Sequence, residues 1–487
     1  MKKTTMTALM ALSMLIGAGG TYVGLQWADR PPEGALSTIV ADELSKSAGD
    51  DEEMKKIRQA YELIKNRYVE KVDEDKLTEG AIQGMIHTLG DPYSVYMDAE
   101  TTEQFNESLD SSFEGIGAEV SMIDGKVTIV APIKNSPAEK AGLKPNDQIL
   151  RVNGESLEGL DLYEAVLKIR GKKGTTVELD ILRPGAKNVM KVKVVRDAIP
   201  IQTVYDSIKT YQGKKAGYLQ ITSFSENTAA DFKKKLAKLE AEHIDGLIID
   251  VRGNPGGYLQ SVEEMLKQLI PKGKPYVQIE ERDGDRQKFY SDLTAKKPYP
   301  IVVLVDQGSA SASEILAGAM KEAGGYPLVG ETTFGKGTVQ QAIPMGDGSN
   351  IKLTLYKWLT PDGHWIHKKG IKPDVAVAQP DYFHVAPLHV EKPFQYDMND
   401  EQIANAQKML KGLGFNPGRT DGYFSKETEQ AVKAFQKANK LPVTGHIDDT
   451  TAQLLQAKII EAVRDPGHDM QLKKALEVLF SSSARRG

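Results

Sequence analysis

Apolar residues recur at helical spacing over 54–69 (Ile57, Tyr61, Ile64, Tyr68) and again over 77–89 (Ile82, Met85, Ile86), which predicts two amphipathic helices. Asp91 and Pro92 stop the second. The pair reads as a packing or dimerisation unit, and nothing in it points to chemistry. From 113 the pattern shortens to strands at 115–120, 126–130, 148–152, 177–182 and 189–195, with helices over 136–141 and 160–169. Over 200–377, short apolar runs such as Leu247, Ile248, Ile249 and Val251 alternate with helices. Strands are predicted at 216–221, 246–251, 301–305, 327–329 and 350–355, and helices at 229–241, 259–269 and 312–322. Wholly apolar strands between helices specify an α/β core covered on both faces. Helical spacing returns at 403–413, 428–438, from 448, and at 471–480, with a Gly- and Pro-rich loop at 414–422.

At roughly 100–200 residues per domain, a chain of this length holds several domains, so the fold class is multidomain α/β. The net charge of −5 offers no attraction to phosphate backbones, and no nucleic-acid partner is expected. The absence of cysteine excludes thiol catalysis, disulfides and thiolate metal sites. No HExxH and no clustered carboxylate and histidine spacing occurs, so no metal or cofactor is expected. Lys2 and Lys3 precede an uncharged apolar stretch over 6–25, which makes 1–28 a signal peptide or a retained membrane anchor of an exported protein.

Three segments could carry chemistry. The first, DQGSASASE over 306–314, lies between a predicted buried strand and a helix. Free N–H groups and the dipole of a helix start favour an oxyanion there. Ser309, Ser311 and Ser313 are equally good N-caps. The second, GETTFGKGTVQ over 330–340, sets Lys336 between two glycines, where desolvation would make it a base; a solvated surface lysine is the plainer alternative. Of the eight histidines none sits in a Gly-rich turn, but His364 and His367 are nearest a plausible cleft and leave a Ser–His arrangement open. The third, IIDVRGNPGG over 248–257, runs from an apolar strand into a turn whose N–H groups could bind an anion, or which is simply a tight turn.

Taken together, in this order, and with Lys336 twenty-five positions after Ser311, the segments resemble the carboxy-terminal processing peptidases, or tail-specific proteases. The resemblance covers 61–377. It implies a crotonase- and Clp-protease-like core at 197–380, with Ser311 as nucleophile, Lys336 as general base and Gln340 orienting the lysine. The oxyanion hole would be formed by the N–H groups of Ala312 and of Gly256 or Gly257. The strings GIGAEV (115–120), SPAEKAGLKPND (136–147) and ILRVNGE (149–155) resemble a PDZ domain, assigned to 106–196. Gly115, Ile116 and Gly117 would hold a C-terminal carboxylate while the peptide adds as a strand. By its position just after the second helix and its charge, Arg170 of the same peptide-binding group is a candidate contact with the protease core.

The sequence over 397–457 resembles a peptidoglycan-binding domain; a dimerisation arm is the alternative use, since the helical tail at 458–487 that follows has the look of an exchanged helix. The helical region at 40–105 would serve a homodimer. The implied function is endopeptidase cleavage of exported or membrane-bound proteins with exposed C-terminal tails, in the cell envelope. The PDZ module would block the site until a tail binds. The resemblance is closest to forms from spore-forming Gram-positive bacteria, which implies signalling proteolysis during sporulation. Two rival readings are a non-cleaving peptidoglycan-anchored PDZ scaffold and a crotonase-like acyl-CoA enzyme.

Overall fold

The computed structural model describes residues 52–109, 112–123, 125–184 and 188–481. The stretch read as signal or anchor lies outside them. Among the described residues no helix is long and apolar enough to cross a membrane.

The described residues start with α1 (Glu52–Arg67) and α2 (Glu74–His87), the latter capped by the Asp73 carboxylate on the Lys76 amide, and continue through the short strand β1 (Val95–Met97) into α3 (Ala99–Leu109). Large apolar side chains of α1 and α2, including Ile57, Leu63, Ile64 and Met85, remain exposed.

A β-rich module follows: β2 (Ser112–Gly115), β3 (Ala118–Ile123), β4 (Lys126–Pro132), α4 (Pro137–Lys140), β5 (Gln148–Val152), β6 (Glu155–Ser156), α5 (Leu162–Ile169), β7 (Thr176–Leu182), β8 (Met190–Val195) and β9 (Asp197–Pro200). The sheet order is β3-β4-β5-β7-β8, all antiparallel, and β2 pairs with β9 where the module is entered and left. Val177, Leu179 and Ile181 alternate into its core with Ile116, Val127, Ile129 and Ile149, as a half-buried antiparallel sheet requires.

The α/β core comprises β10 (Val204–Tyr211), β11 (Lys214–Ile221), α6 (Thr228–Ala241), β12 (Gly246–Asp250), α7 (Leu259–Leu266), β13 (Pro275–Glu280), β14 (Arg286–Tyr290), β15 (Ile301–Val305), α8 (Ala312–Gly318), β16 (Leu328–Gly330), β17 (Thr338–Pro344), β18 (Asn350–Leu359) and β19 (Val375–Ala376). Its main sheet runs β10-β11-β12-β15-β16-β19, parallel except for the β10–β11 hairpin. A second, antiparallel sheet, which the hydrophobic pattern did not predict, is ordered β1-β18-β13-β14 with β17 also on β18.

The last part of the chain forms α9 (Glu401–Gly412), α10 (Lys426–Ala438), α11 (Asp449–Arg464) and α12 (Met470–Phe480). The first three enclose their own core of Ile403, Leu410, Phe424, Val432, Phe435 and Leu455. The expected boundary at 457/458 falls inside α11. Helix α12 returns to the main sheet. Leu247 and Ile249 of β12 face the helices α6 to α8, while Ile248 faces α12 together with Val302, Leu304 and Val329. Leu472, Ala475, Leu476 and Leu479 of α12 complete that second face, each buried leucine contributing roughly 1.5–3 kcal/mol. The apolar runs of β12 and β15 thus find cover on both sides.

Candidate active site

The three candidate segments follow the carboxyl ends of three neighbouring parallel strands. The 251–257 turn leaves β12, the serine turn leaves β15, and the 331–337 loop leaves β16. Open parallel sheets place their sites at this edge, where helix N-termini also converge.

The three serines differ sharply. Ser309 Oγ donates to the Val251 carbonyl at 2.8 Å and accepts the Asp306 amide at 3.0 Å, and Ser313 Oγ donates to the Asn254 carbonyl at 2.8 Å. Both therefore staple the serine turn to the 251–257 turn. Ser311 is the residue before α8, wholly buried, with φ +55° and ψ −113°. A side chain is held in that sparsely populated region only when its surroundings over-determine it, which is typical of functional turns.

Glu314, three positions on, ties the nucleophile turn to the lysine loop. Its Oε2 accepts the amides of Ser311 at 3.0 Å and Lys336 at 2.7 Å, and its Oε1 accepts the Gly335 amide at 2.7 Å and the Thr333 hydroxyl at 2.5 Å. Burial pushes this carboxyl above its usual range, while the four donors pull the other way. The sequence had offered a clue to it, since Ser-x-x-Glu at a helix start is a capping pattern.

Lys336 is 1% exposed, and its Nζ has no hydrogen-bond partner among the described residues. The ring of Tyr93 covers it, 4.9 Å from Nζ to the centroid. Burial, and then the nearby positive Lys352, push Lys336 down to about 7 from its ordinary 10.5, against opposing pulls from Asp91 and Glu314. Lys352 is itself buried on β18 and pushed down to about 8 by desolvation.

Gln340, on β17, donates from Nε2 to Thr338 Oγ1 and Thr354 Oγ1, both at 3.0 Å, and its Oε1 is buried without a partner. Gln340 Oε1 and Lys336 Nζ are thus an acceptor and a donor that are each buried without a hydrogen bond, to each other included.

The Gly-Gly turn is built for close approach. Gly256 has φ +109°, and a methyl there would lie 2.9 Å from Ser311 Cβ and 3.1 Å from the Ala312 amide nitrogen. Gly257 has φ +143°, and a methyl would meet the Phe224 carbonyl at 2.2 Å. The Gly256 amide donates to Asn254 Oδ1 at 2.9 Å, which leaves Gly257 as the stronger candidate oxyanion donor of the two. Ala312 is the first residue of α8, where an amide has no intrahelical acceptor.

Sequence reasoning missed the contribution of the N-terminal region. The 91–94 turn brings Tyr93 over Lys336, and its Asp91 Oδ2 accepts the Thr354 hydroxyl at 2.6 Å. His364 points away from these groups, its Nδ1 3.2 Å from Glu322. His367 is closer, stacked on Trp365 and edge-on to Tyr93 at 6.3 Å, with burial and the adjacent Lys368 lowering its pKa.

The PDZ-like residues form a separate group. Gly115 ends β2 and pairs with Asp197, Ile116 is in the module core, and Gly117 leads into β3, the edge strand of its sheet. The Arg170 guanidinium lies over the Phe113 ring at 5.3 Å, within the same module.

Four family models match segments of the chain. The model of peptidase family S41 matches 215–377, a PDZ domain 115–194, an activating protease CtpB N-terminal domain 14–101, and a peptidoglycan binding domain 399–455. The chain is 58% identical over 483 residues to the carboxy-terminal processing protease CtpB of Bacillus subtilis, covering 99% of this chain and 100% of that one. It is 45% identical to the carboxy-terminal processing protease CtpA of the same organism, covering 91% of this chain and 93% of that one. A CtpA-like serine protease of Staphylococcus epidermidis is 39% identical, covering 84% of this chain and 82% of that one.

Proposed function

Starting from the fact that this chain belongs to the carboxy-terminal processing proteases of peptidase family S41, and is a serine peptidase, we propose that Ser311 is its nucleophile, Lys336 its base and Gln340 the residue that holds the lysine. The observation that carries this reading is the buried, unpartnered Lys336 amine, pushed down to about 7 beside a nucleophile turn with which it shares Glu314. Neutral Lys336 takes the Ser311 proton as Oγ bonds to the scissile carbonyl carbon. The amides of Ala312 and Gly257 receive the developing oxyanion. The lysinium then protonates the leaving amine, and water, deprotonated by the same lysine, hydrolyses the acyl-enzyme.

The PDZ module presents C-terminal tails, with Gly115 to Gly117 receiving the carboxylate and the free edge of β3 receiving the peptide as an added strand. In the absence of a tail, the module holds the site closed. The peptidoglycan-binding match supports tethering to the wall and an extracytoplasmic location. The exposed apolar faces of α1 and α2 support a homodimer, which sedimentation would detect. The similarity to a Bacillus protease supports a role in sporulation signalling, which the sporulation timing of a deletion strain would test.

The central test is cleavage of an unfolded protein such as casein by the full chain beside Ser311→Ala and Lys336→Ala. Loss in both variants is the expected result. Tail peptides bound but never cut by the parent would move the assignment to a scaffold.

A further inference from the structure

A glutamine can hold a lysine only if its carbonyl end is the one presented, and the side chain itself does not decide that. In β17, Gln340 pairs with Thr354 of β18. Its Nε2 has two hydroxyl neighbours, Thr338 and Thr354. A hydroxyl both donates and accepts, so either amide orientation would suit a free threonine. Thr354 is not free in this sense, because its proton is given to Asp91 Oδ2 at 2.6 Å. An ionised carboxylate only accepts, so Thr354 can only accept from Gln340, and the amide nitrogen must face it.

Asp91 is in turn fixed. Its Oδ2 also accepts Ser94 Oγ at 2.6 Å, its Oδ1 accepts the Tyr93 amide at 3.1 Å, and Ser94 Oγ accepts the Thr354 amide at 3.0 Å. Burial alone would raise the Asp91 carboxyl, but the hydrogen bonds from Ser94, Thr354 and Tyr93 hold it below its ordinary range, so it stays ionised.

We propose that Asp91 and Thr354 are positioning residues that act in series, Asp91 orienting the Thr354 hydroxyl and Thr354 orienting the Gln340 carboxamide so that Oε1 is the end offered to Lys336. This deepens the reading above and rests on it. An acceptor on one N–H of the lysine turns its lone pair toward Ser311. The device is directional. In Asp91→Asn the new amide donates to Thr354, whose proton is then released toward Gln340, and the carboxamide reverses with almost no change in volume.

The experiment measures kcat and KM for fluorescent casein with the full chain in mild detergent, comparing Asp91→Asn, Thr354→Val, Thr354→Ser and Lys336→Ala. Expected are losses in kcat of about tenfold or more for Asp91→Asn and Thr354→Val with KM within about twofold, while Thr354→Ser, which keeps the hydroxyl, stays within about threefold of the parent. Asp91→Asn and Thr354→Val both keeping kcat within about twofold, beside an inactive Lys336→Ala, would overturn the proposal. So would a Thr354→Ser as impaired as Thr354→Val or more so, because a mere packing role spares the isosteric valine and penalises the serine that has lost the methyl. If Asp91→Asn fails to fold, the two Thr354 variants decide alone. Activity surviving in Lys336→Ala would instead refute the lysine base, a failure this comparison keeps separate.

Discussion

The lysine base makes a quantitative demand on the pH profile. An ordinary lysine at 10.5 is about one part in three thousand neutral at pH 7, whereas one pushed down to about 7 is about half neutral. Burial of Lys336 therefore supplies on the order of a thousandfold more base. Lowering the pH below 7 re-protonates it, so acylation of Ser311 should fall about tenfold for each pH unit and level off above about pH 8. The assay is the rate of labelling by a fluorophosphonate between pH 5.5 and 9.5, which reports the first chemical step without substrate binding. A rate still climbing through pH 9.5 would refute the argument, since the lysine would then be unperturbed. An inflection below the ordinary histidine value that survives Lys336→Arg would transfer the role to His367, whose pKa is lowered rather than raised. The same depression costs stability. Between about 7 and 10.5 the unfolded chain binds a proton that the folded chain does not, so stability is lost as pH falls through this window, on the order of 5 kcal/mol in all, and no further below it.

Further predictions follow from individual contacts. Lys352→Met removes the positive neighbour of Lys336, so the acid limb of the profile should move to higher pH and labelling at pH 7 should slow; an unmoved limb would separate the two lysines electrostatically. Gly256→Ala, with its methyl 2.9 Å from Ser311 Cβ, should reduce labelling by about tenfold or more while leaving tail-peptide binding to the PDZ module intact. Ser309→Ala strands the Asp306 amide and leaves the Val251 carbonyl only the Asn254 amide at 3.3 Å, and should destabilise by about 1–3 kcal/mol in urea, yet cleave casein where it remains folded. Leu479→Ala, under the main sheet, should cost about 2–5 kcal/mol by the same measurement, and a value near zero would mean that α12 does not cover that face.

The main sheet was legible because β12 and β15 are buried on both faces, so that β15 is apolar at every position and β12 at all but its terminal Asp250. The second sheet was not. β1 has three residues, and its partner β18 lies some 250 positions away, so no local period announces the pairing. The serine and lysine were readable only in combination, each alone being indistinguishable from a cap or a surface charge. Glu314 left a local trace in its spacing from Ser311. Asp91 left none, because as the residue after a helix it reads as a stop signal, and its partner Thr354 is 263 positions distant.

Helix α12 is pinned as well as packed. Arg252, in the turn that carries the Gly-Gly pair, binds Asp250 and also Asp469, whose carboxylate caps α12, and Gln471. Synthesis runs from the N-terminus, so Asp469 and Gln471 are made after every proposed catalytic residue. Until they emerge, one face of the main sheet lacks α12 and Arg252 lacks two of these three partners. A growing or prematurely terminated chain therefore carries every proposed catalytic residue without the surroundings that align them.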